Sequence, residues 1–461
     1  MNKLISVLRQ NHYYGFTVII AIGFWYVALF PGRIGYDYSL AIRMIQNGNS
    51  TDWWTSTYFW LLKISSFWGN SIFLSSLIGV LILSYSLTWL IFSFPQNLII
   101  KRKALLLLFC TPLFGVFGVT ISHDVFQTSG IILLIGLEVR IIQKLSLSKN
   151  IFLVNLVLSY LCLLTVKTGP FIIIFSFITL LVRKKFFVAN VAFLLTFLCF
   201  FLSSFGVDSK FMNDAKYLLF IADIKCVAQH SEARISTEEW RYLSDIAPIE
   251  NWKSAKTCST IDSATQIVSL HGQKLILNQE FFKNYFSIVS KNPAIFLMSH
   301  IQRSRGALPP PFFQGPENQV NLDIRKPIGE GTNIALQSGP ELLHPSIDEP
   351  SVAIKIPLLK PLEMLAQTPT FLINQASWFW GWGGFWLWPI LYFWLKFLRN
   401  SGILLRIFSL YPIILNHTFL IVLNPGALGR YYMSTILVGV TVCIIIFLQF
   451  LKNVQPSTKI Q

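Results

Sequence analysis

Charge is what this chain has least of. Charged residues make up 13% of its 461 positions, about half the share usual in soluble domains. Acids are the scarcer sign, with 21 Asp and Glu against 37 Lys and Arg. So little polar surface could not cover the core of a soluble protein in which 53% of residues are hydrophobic and Phe alone occurs 40 times. The same numbers exclude disorder, collagen and coiled coil. Cysteine is sparse too: six residues, with no Cys-x-x-C and no Cys/His spacing of the kind that holds zinc. The composition is that of a polytopic membrane protein.

The net charge of +16 would suit a nucleic-acid partner if it were gathered on one face, and it is not. Residues 206–369 hold 16 of the basic and 17 of the acidic residues, so that stretch is nearly neutral. Elsewhere 21 basic residues remain against four acids: Asp37, Asp52, Asp124 and Glu138. The excess therefore belongs to short loops between apolar runs, and nucleic acid drops out as a partner.

Ten runs have the roughly 20-residue apolar character of a membrane helix: about 14–31, 71–94, 104–122, 125–143, 150–166, 170–182, 186–205, 371–395, 403–423 and 431–451. The first has no small-residue cleavage site behind it and reads as an anchor. With the N-terminus inside, 16 basic residues fall in inner loops. Five fall in short outer ones: Arg33, Arg43, Lys63, Lys167 and Arg430. Since Lys and Arg collect on the cytoplasmic side, this predicts an N-in, C-in topology with 206–369 outside. The expected fold class is an all-α polytopic membrane protein of about ten spans with a mixed, mainly helical outer-face domain. Its units are an N-terminal transmembrane module over 1–205, an extracytoplasmic domain over 206–370 and a C-terminal transmembrane module over 371–461.

Four outer connections each present an ionisable group near the membrane surface. The first, from Pro31 to about Asn70, carries Asp37 and Asp52. Leu40, Ile42, Met44 and Ile45 predict a short amphipathic helix there, and Trp53, Trp54, Tyr58, Phe59 and Trp60 an aromatic belt at the interface. The second is a tight ISHDVF turn with His123 and Asp124 at its tip. The third is VKTGP, with Lys167 at a Gly-Pro break. The last is NPGALGRYY, where Arg430 precedes a span. Acids so placed suit general-base or metal chemistry, and cations suit a phosphate. The plain alternative is that each is an ordinary helix-end charge. Glu138 reads as a structural partner of nearby Arg140, and His417 as a buried histidine satisfied by a neighbour rather than a ligand. In the outer segment Trp240 and Trp252 are core candidates. Arg303 and Arg305 are candidate phosphate contacts on a surface helix. The WFWGWGGFWLWP run at 378–389 reads as an interface anchor with close helix packing.

The cysteines divide by location. Cys110, Cys162, Cys199 and Cys443 lie in apolar runs as small packing residues. Cys226 and Cys258 are the two in the outer segment, where an oxidising compartment would permit a disulfide; two free buried thiols are the alternative.

Taken together, these motifs resemble the GT-C superfamily of membrane glycosyltransferases, and within it bacterial polytopic members with an outer-loop Asp motif. The first-loop motif stands here as Pro31, Gly32, Asp37, Gln46, Gly48 and Asp52. The second-loop acid stands as His123-Asp124, VKTGP matches a basic-residue-then-Gly loop, and Arg430-Tyr431 an Arg-Tyr that opens a late span. Tyr38 stands where the group has Ser, Trp53-Trp54-Thr55 where it has His-Pro, and His123 where it has Lys. The resemblance implies an enzyme of the bacterial cytoplasmic membrane with its site on the extracytoplasmic face. It would move a sugar from a polyprenyl-phosphate donor to a glycan, lipid or protein acceptor. Asp37 and Asp124 are then the catalytic candidates, with Asp37 as base. Lys167, Arg430, His123 and Arg303 are donor-phosphate contacts, and Asp52 serves the acceptor or a metal. No cofactor is fixed by the sequence; a divalent metal held by Asp52 and Asp124 stays open. The competing expectations are a transporter or flippase of lipid-linked glycans, with ionisable residues at mid-membrane, and a polysaccharide polymerase or ligase relying on Arg and His.

Overall fold

The computed structural model describes residues 2–29, 33–34, 41–42, 44–48, 55–145, 148–183, 185–204, 215–254, 278–304, 361–362, 365, 383–398, 402–423 and 432–454, with 264 and 267 as isolated residues. Among these the regular structure is helical apart from one pair of two-residue strands. Asp37, Asp52, Arg430 and Cys258 lie outside the described residues.

The chain opens with α1 (Asn2–Ala28), β1 (Arg33–Ile34) and α2 (Ser56–Ser65), followed by α3 (Phe73–Ser93). Next come α4 (Leu98–Phe109) and α5 (Pro112–Val119), bent by 61° to one another. The bend has a local cause. Pro112 has no N–H to continue the helix from α4, and Thr111 restarts it by accepting a hydrogen bond from the Phe114 N–H. After β2 (Thr120–Ile121) come α6 (His123–Ile142), α7 (Lys149–Leu163), α8 (Gly169–Val182) and α9 (Phe186–Ser204). The turn between α7 and α8 needs its glycine, because a Cβ on Gly169 would overlap the Leu163 carbonyl. The later elements are α10 (Ala215–Ala228), α11 (Thr237–Ile246), α12 (Ile249–Lys253), α13 (Gln279–Lys291), α14 (Pro293–Ser304), α15 (Gly383–Phe397), α16 (Ile403–Phe408), α17 (Tyr411–Leu423) and α18 (Met433–Val454).

Three helices among the described residues are long and apolar enough to cross a membrane: α3, α6 and Met433–Asn453 of α18. The bent pair α4–α5 would make a fourth. This is consistent with a membrane protein, and it corrects the expected count of ten. Hydropathy registers a continuous apolar run whether or not the helix inside it is broken. Lys149–Leu163 and Gly169–Val182 are apolar helices that end early, the first between Ser148 and Leu164 and the second between Thr168 and Arg183. At 1.5 Å per residue these two reach roughly 21–23 Å, short of a hydrocarbon core of about 30 Å.

One apolar core joins the first and last parts of the chain. Phe94, after α3, meets the rings of Phe393 and Trp394 in α15 at 4.8 and 5.8 Å. The Trp25 indole donates to the Phe109 carbonyl at 2.9 Å, tying α1 to α4. The expected close packing at the WFWGWGGFWLWP run is present in its described part: a Cβ on Gly383 would overlap Tyr432, and Trp386 is buried against α18. Glu138 does have a structural partner, but it is Arg183 at the end of α8 (2.5 Å) and not Arg140. Arg140 lies over the Trp89 ring instead and donates to Ser93.

A second core gathers α10, α11, α12, α13 and α14. Ser236 and Glu239 form a capping box at the start of α11, and Trp252 is fully buried with its N–H on the Leu243 carbonyl. Trp240 is half-buried beside it. Asp223 is the polar centre of this core. Its carboxylate accepts from the Tyr285 hydroxyl at 2.8 Å, lies 3.2 Å from His300 and pairs with Arg303. Burial first, and then Asp223, push the Tyr285 phenol far up from its ordinary value. Cys226 is disulfide-bonded, while Cys110, Cys162, Cys199 and Cys443 are free. Cys258, its expected partner, is outside the described residues.

Asp223→Asn should destabilise this region by about 3–5 kcal/mol, because it leaves the buried Arg303 charge uncompensated. Hydrogen exchange should show protection falling across 215–304 while α3 and α6 keep theirs; equal protection in both proteins would refute the role given to the pair.

Candidate functional site

The site is built at the N-terminus of α6. Ser122 is extended and caps the helix, accepting from the Asp124 N–H at 3.0 Å and donating to Asp124 Oδ2 at 2.8 Å. The other carboxylate oxygen, Oδ1, lies 3.4 Å from His123 Nε2. Asp124 is 2% exposed, whereas the His123 side chain is 27% exposed. A buried carboxylate is costly unless hydrogen-bonded, and here a cap hydroxyl, an imidazole and the positive end of a helix all attend it. Asp124 thereby orients His123, and His123 is the member that reaches the surface.

Two other connections converge on this point. Arg33 and Ile34 pair in parallel with Thr120 and Ile121, so the start of the first loop is tied to the strand that leads into Ser122. From the other side, Thr165 donates to the Cys162 carbonyl at 2.6 Å and reaches the His123 carbonyl at 3.5 Å. Lys167 is two residues further on, exposed in the turn before Gly169.

The loop between α1 and α2 also forms the floor. Ile42, Met44 and Ile45 are buried on a short helical segment, as the amphipathic pattern predicts, with Leu40 of that pattern outside the described residues; with Ala41 they pack against Tyr58, Phe59 and Leu62 of α2 and against Ile121 and Phe126. The expected interfacial belt is corrected for two of its members. Tyr58 and Phe59 are 1% and 4% exposed and belong to this small core. The aromatic content of the segment cannot by itself tell a ring facing lipid from one facing a neighbouring helix. Trp60 is partly exposed, and Trp53 and Trp54 lie outside the described residues. The Tyr58 ring meets His123 edge to face at 5.6 Å and Phe126 at 6.3 Å. Burial first, and the Asp124 carboxylate second, push its phenol well above the ordinary value. A small cavity lined in part by Tyr58, Leu62, Ser65, Ser75 and Ser122 opens beside the pair.

Gln46 and Gly48 of the first-loop motif act structurally. The Gln46 amide donates to the Gly69 carbonyl at 2.7 Å and closes the loop on itself, while Gly48 has a left-handed φ of 71°.

Further along α6, Gln127 donates to Asn416 of α17 at 2.8 Å, and His417 Nε2 is 2.7 Å from the Thr435 hydroxyl of α18. His417 is thus the satisfied buried histidine expected, with Thr435 as its partner. Arg303 is corrected. It is fully buried against Asp223 in the second core, so its charge is committed there and not offered to a donor phosphate. A partner 80 residues away is invisible to local sequence pattern. Among the described residues no three His, Cys, Asp or Glu side chains group as a metal site. What local reading missed, Tyr58 and Thr165, gave no charge signal; Ser122 could have been found as a cap two residues before an acid.

No family model, no curated protein and no solved structure matches this chain.

Ser122→Ala removes both the cap and a donor to the buried carboxylate. It should cost about 1 kcal/mol, within roughly 0.5–2, read as a lowered melting temperature of the purified protein; an unchanged melting temperature would show the cap to be dispensable.

Proposed function

We propose that the chain is an integral-membrane glycosyltransferase of the GT-C type. It uses a polyprenyl-phosphate-linked sugar and acts on the extracytoplasmic face of a bacterial cytoplasmic membrane, in an N-in, C-in arrangement. The observation that carries the reading is the convergence of three connections on one carboxylate–imidazole pair. Asp37 follows Ile34 by three residues, and Asp124 follows Ile121 by three, from strands paired in register. Lys167 is two residues from Thr165, whose hydroxyl reaches the His123 carbonyl.

In this reading the acceptor hydroxyl loses its proton to Asp37 as its oxygen attacks the anomeric carbon. The bond from that carbon to the lipid phosphate breaks, and the phosphate leaves with the electron pair. A phosphate is already a good leaving group, so the need is for positive charge beside it. Lys167, His123 and Arg430 supply that charge. Asp124 holds His123 and is a second candidate for acceptor contact. Asp52 serves the acceptor or, with Asp124, a divalent metal.

A second reading, a transporter or flippase of lipid-linked glycans, is favoured by the 61° break between α4 and α5 and by the buried Gln127–Asn416 and His417–Thr435 pairs. Broken helices and buried polar groups are the hallmarks of such proteins.

Purified protein in sealed vesicles with a labelled polyprenyl-phosphate sugar separates the two. Transfer of label to an acceptor supports the enzyme, and movement of intact donor between leaflets without transfer supports the transporter. Asp37→Asn should lower transfer by about a hundredfold or more, as loss of a general base does, with expression unchanged. Full activity in that variant would sink the assignment of the base.

A further inference from the structure

We propose that α2 and the turn after it form a bilayer-docking element whose partner is the phospholipid headgroup layer. This rests on the apolar helices spanning a membrane and not on sugar transfer.

The helix is apolar on two faces. One, with Tyr58, Phe59 and Leu62, is buried in the small core under His123. The other carries Trp60, Lys63 and Ile64 and continues into Phe67 and Trp68. The i, i+3 and i+4 spacing puts Trp60, Lys63 and Ile64 on one side of the helix, and Phe67 and Trp68 follow in the turn after it. Ile64, Phe67 and Trp68 are 57%, 45% and 57% exposed. A helix apolar all round belongs inside a core or in lipid. At about 15 Å its ten residues are too short to cross, so lipid is met along its side.

The level is set by α3. Phe67 stacks on Phe73 at 5.9 Å, and Phe73 is the first residue of a helix of crossing length. The turn therefore stands at the end of a span, where Trp partitions to the interface. Also packed against α2 is α9, whose Leu194, Phe197, Leu198 and Phe201 are exposed and apolar. Lys63 lies 4.6 Å from the Trp60 ring, placing a cation on the same face for lipid phosphate.

The backbone of the turn is the independent observation. Phe67, Trp68 and Gly69 follow one another at φ 50°, 59° and 86°. Bulky residues avoid this left-handed region, and such strain persists only where surroundings impose it. Here they do. The Trp68 N–H donates to the Lys63 carbonyl at 2.9 Å, the Gly69 N–H to Ser66 Oγ at 3.0 Å, and Gln46 grips the Gly69 carbonyl. A Cβ on Gly69 would press on Gln46. The outcome is two aromatic rings held outward where a turn would ordinarily carry Gly or Asn. Because Tyr58 on the opposite face packs against His123, the seat of α2 in the headgroup layer fixes the height of the His123–Asp124 pair above the bilayer.

The test uses the full chain in vesicles of phosphatidylcholine and phosphatidylglycerol, with an environment-sensitive fluorescent amino acid at position 68 or, as a control, at the exposed Glu232. At position 68 emission should shift to the blue. Most intensity should be lost to lipids brominated high on the acyl chain, less to lipids brominated at the chain end, and little to aqueous acrylamide. Position 232 should show the reverse. Should the position-68 variant fail to fold, the probe at Ile64 reads the same face. Strong acrylamide quenching with silent lipids would overturn the proposal. So would protection from both quenchers, which would mean that protein covers the face. Neither outcome touches the sugar-transfer reading, since no activity is measured.

Discussion

The membrane part of this protein is organised around one costly act, the burial of the Asp124 carboxylate at the end of an apolar helix. An isolated ionised acid in such a place would lose several kcal/mol of solvation. Each neighbour answers that loss. Ser122 turns back to cap the helix and to donate to the acid, His123 faces the other oxygen, and the aligned peptide dipoles of α6 contribute partial positive charge. Once those groups are fixed, the backbone around them is fixed as well. The β1–β2 ladder and the Thr165 hydroxyl then have a rigid edge to hold, which is why separate connections meet there.

Tyr58 and α2 extend the same logic outward. A short helix buried on one side against His123 and apolar on the other cannot be stable in water on both counts. Its position is therefore a compromise between the small core and whatever covers its far side. The strained turn at Phe67–Gly69 is the local cost of that compromise, and Gln46 and Ser66 hold it in place. The buried Glu138–Arg183 pair and the Asp223 cluster are of another kind. They lock helix to helix, and Arg303 and Glu138 have no charge to spare for a substrate.

Much of the site was legible in the sequence because acids are so scarce. With four outside 206–369, each stands out against an apolar background, and Asp124 was marked by that scarcity, by its place at a loop tip and by the resemblance. The short amphipathic segment at 41–45 and the cap before α6 were equally accessible, since periodicity and capping are properties of a few adjacent residues. The span count failed for a matching reason. A hydropathy window averages over a break such as Thr111–Pro112, where a single missing N–H divides one apolar run into two helices at 61°. Two members of the aromatic belt, Tyr58 and Phe59, were misplaced because aromatic rings suit lipid and protein interiors alike, and the sequence of α2 holds both kinds on opposite faces.

The sequence by itself determined the class of solvent this protein prefers, the mainly helical character of its backbone, and the candidates for chemistry, because each of these follows from composition or from neighbours within one or two helical turns. The tertiary structure alone decided which groups face one another. Arg183 rather than Arg140 meets Glu138, Asp223 claims Arg303, Gln127 reaches Asn416, and Tyr58 turns inward to His123. Those pairings join residues 45, 80 and 289 positions apart in three of the four cases. No local rule governs them, since they are set by which helices the apolar core brings side by side.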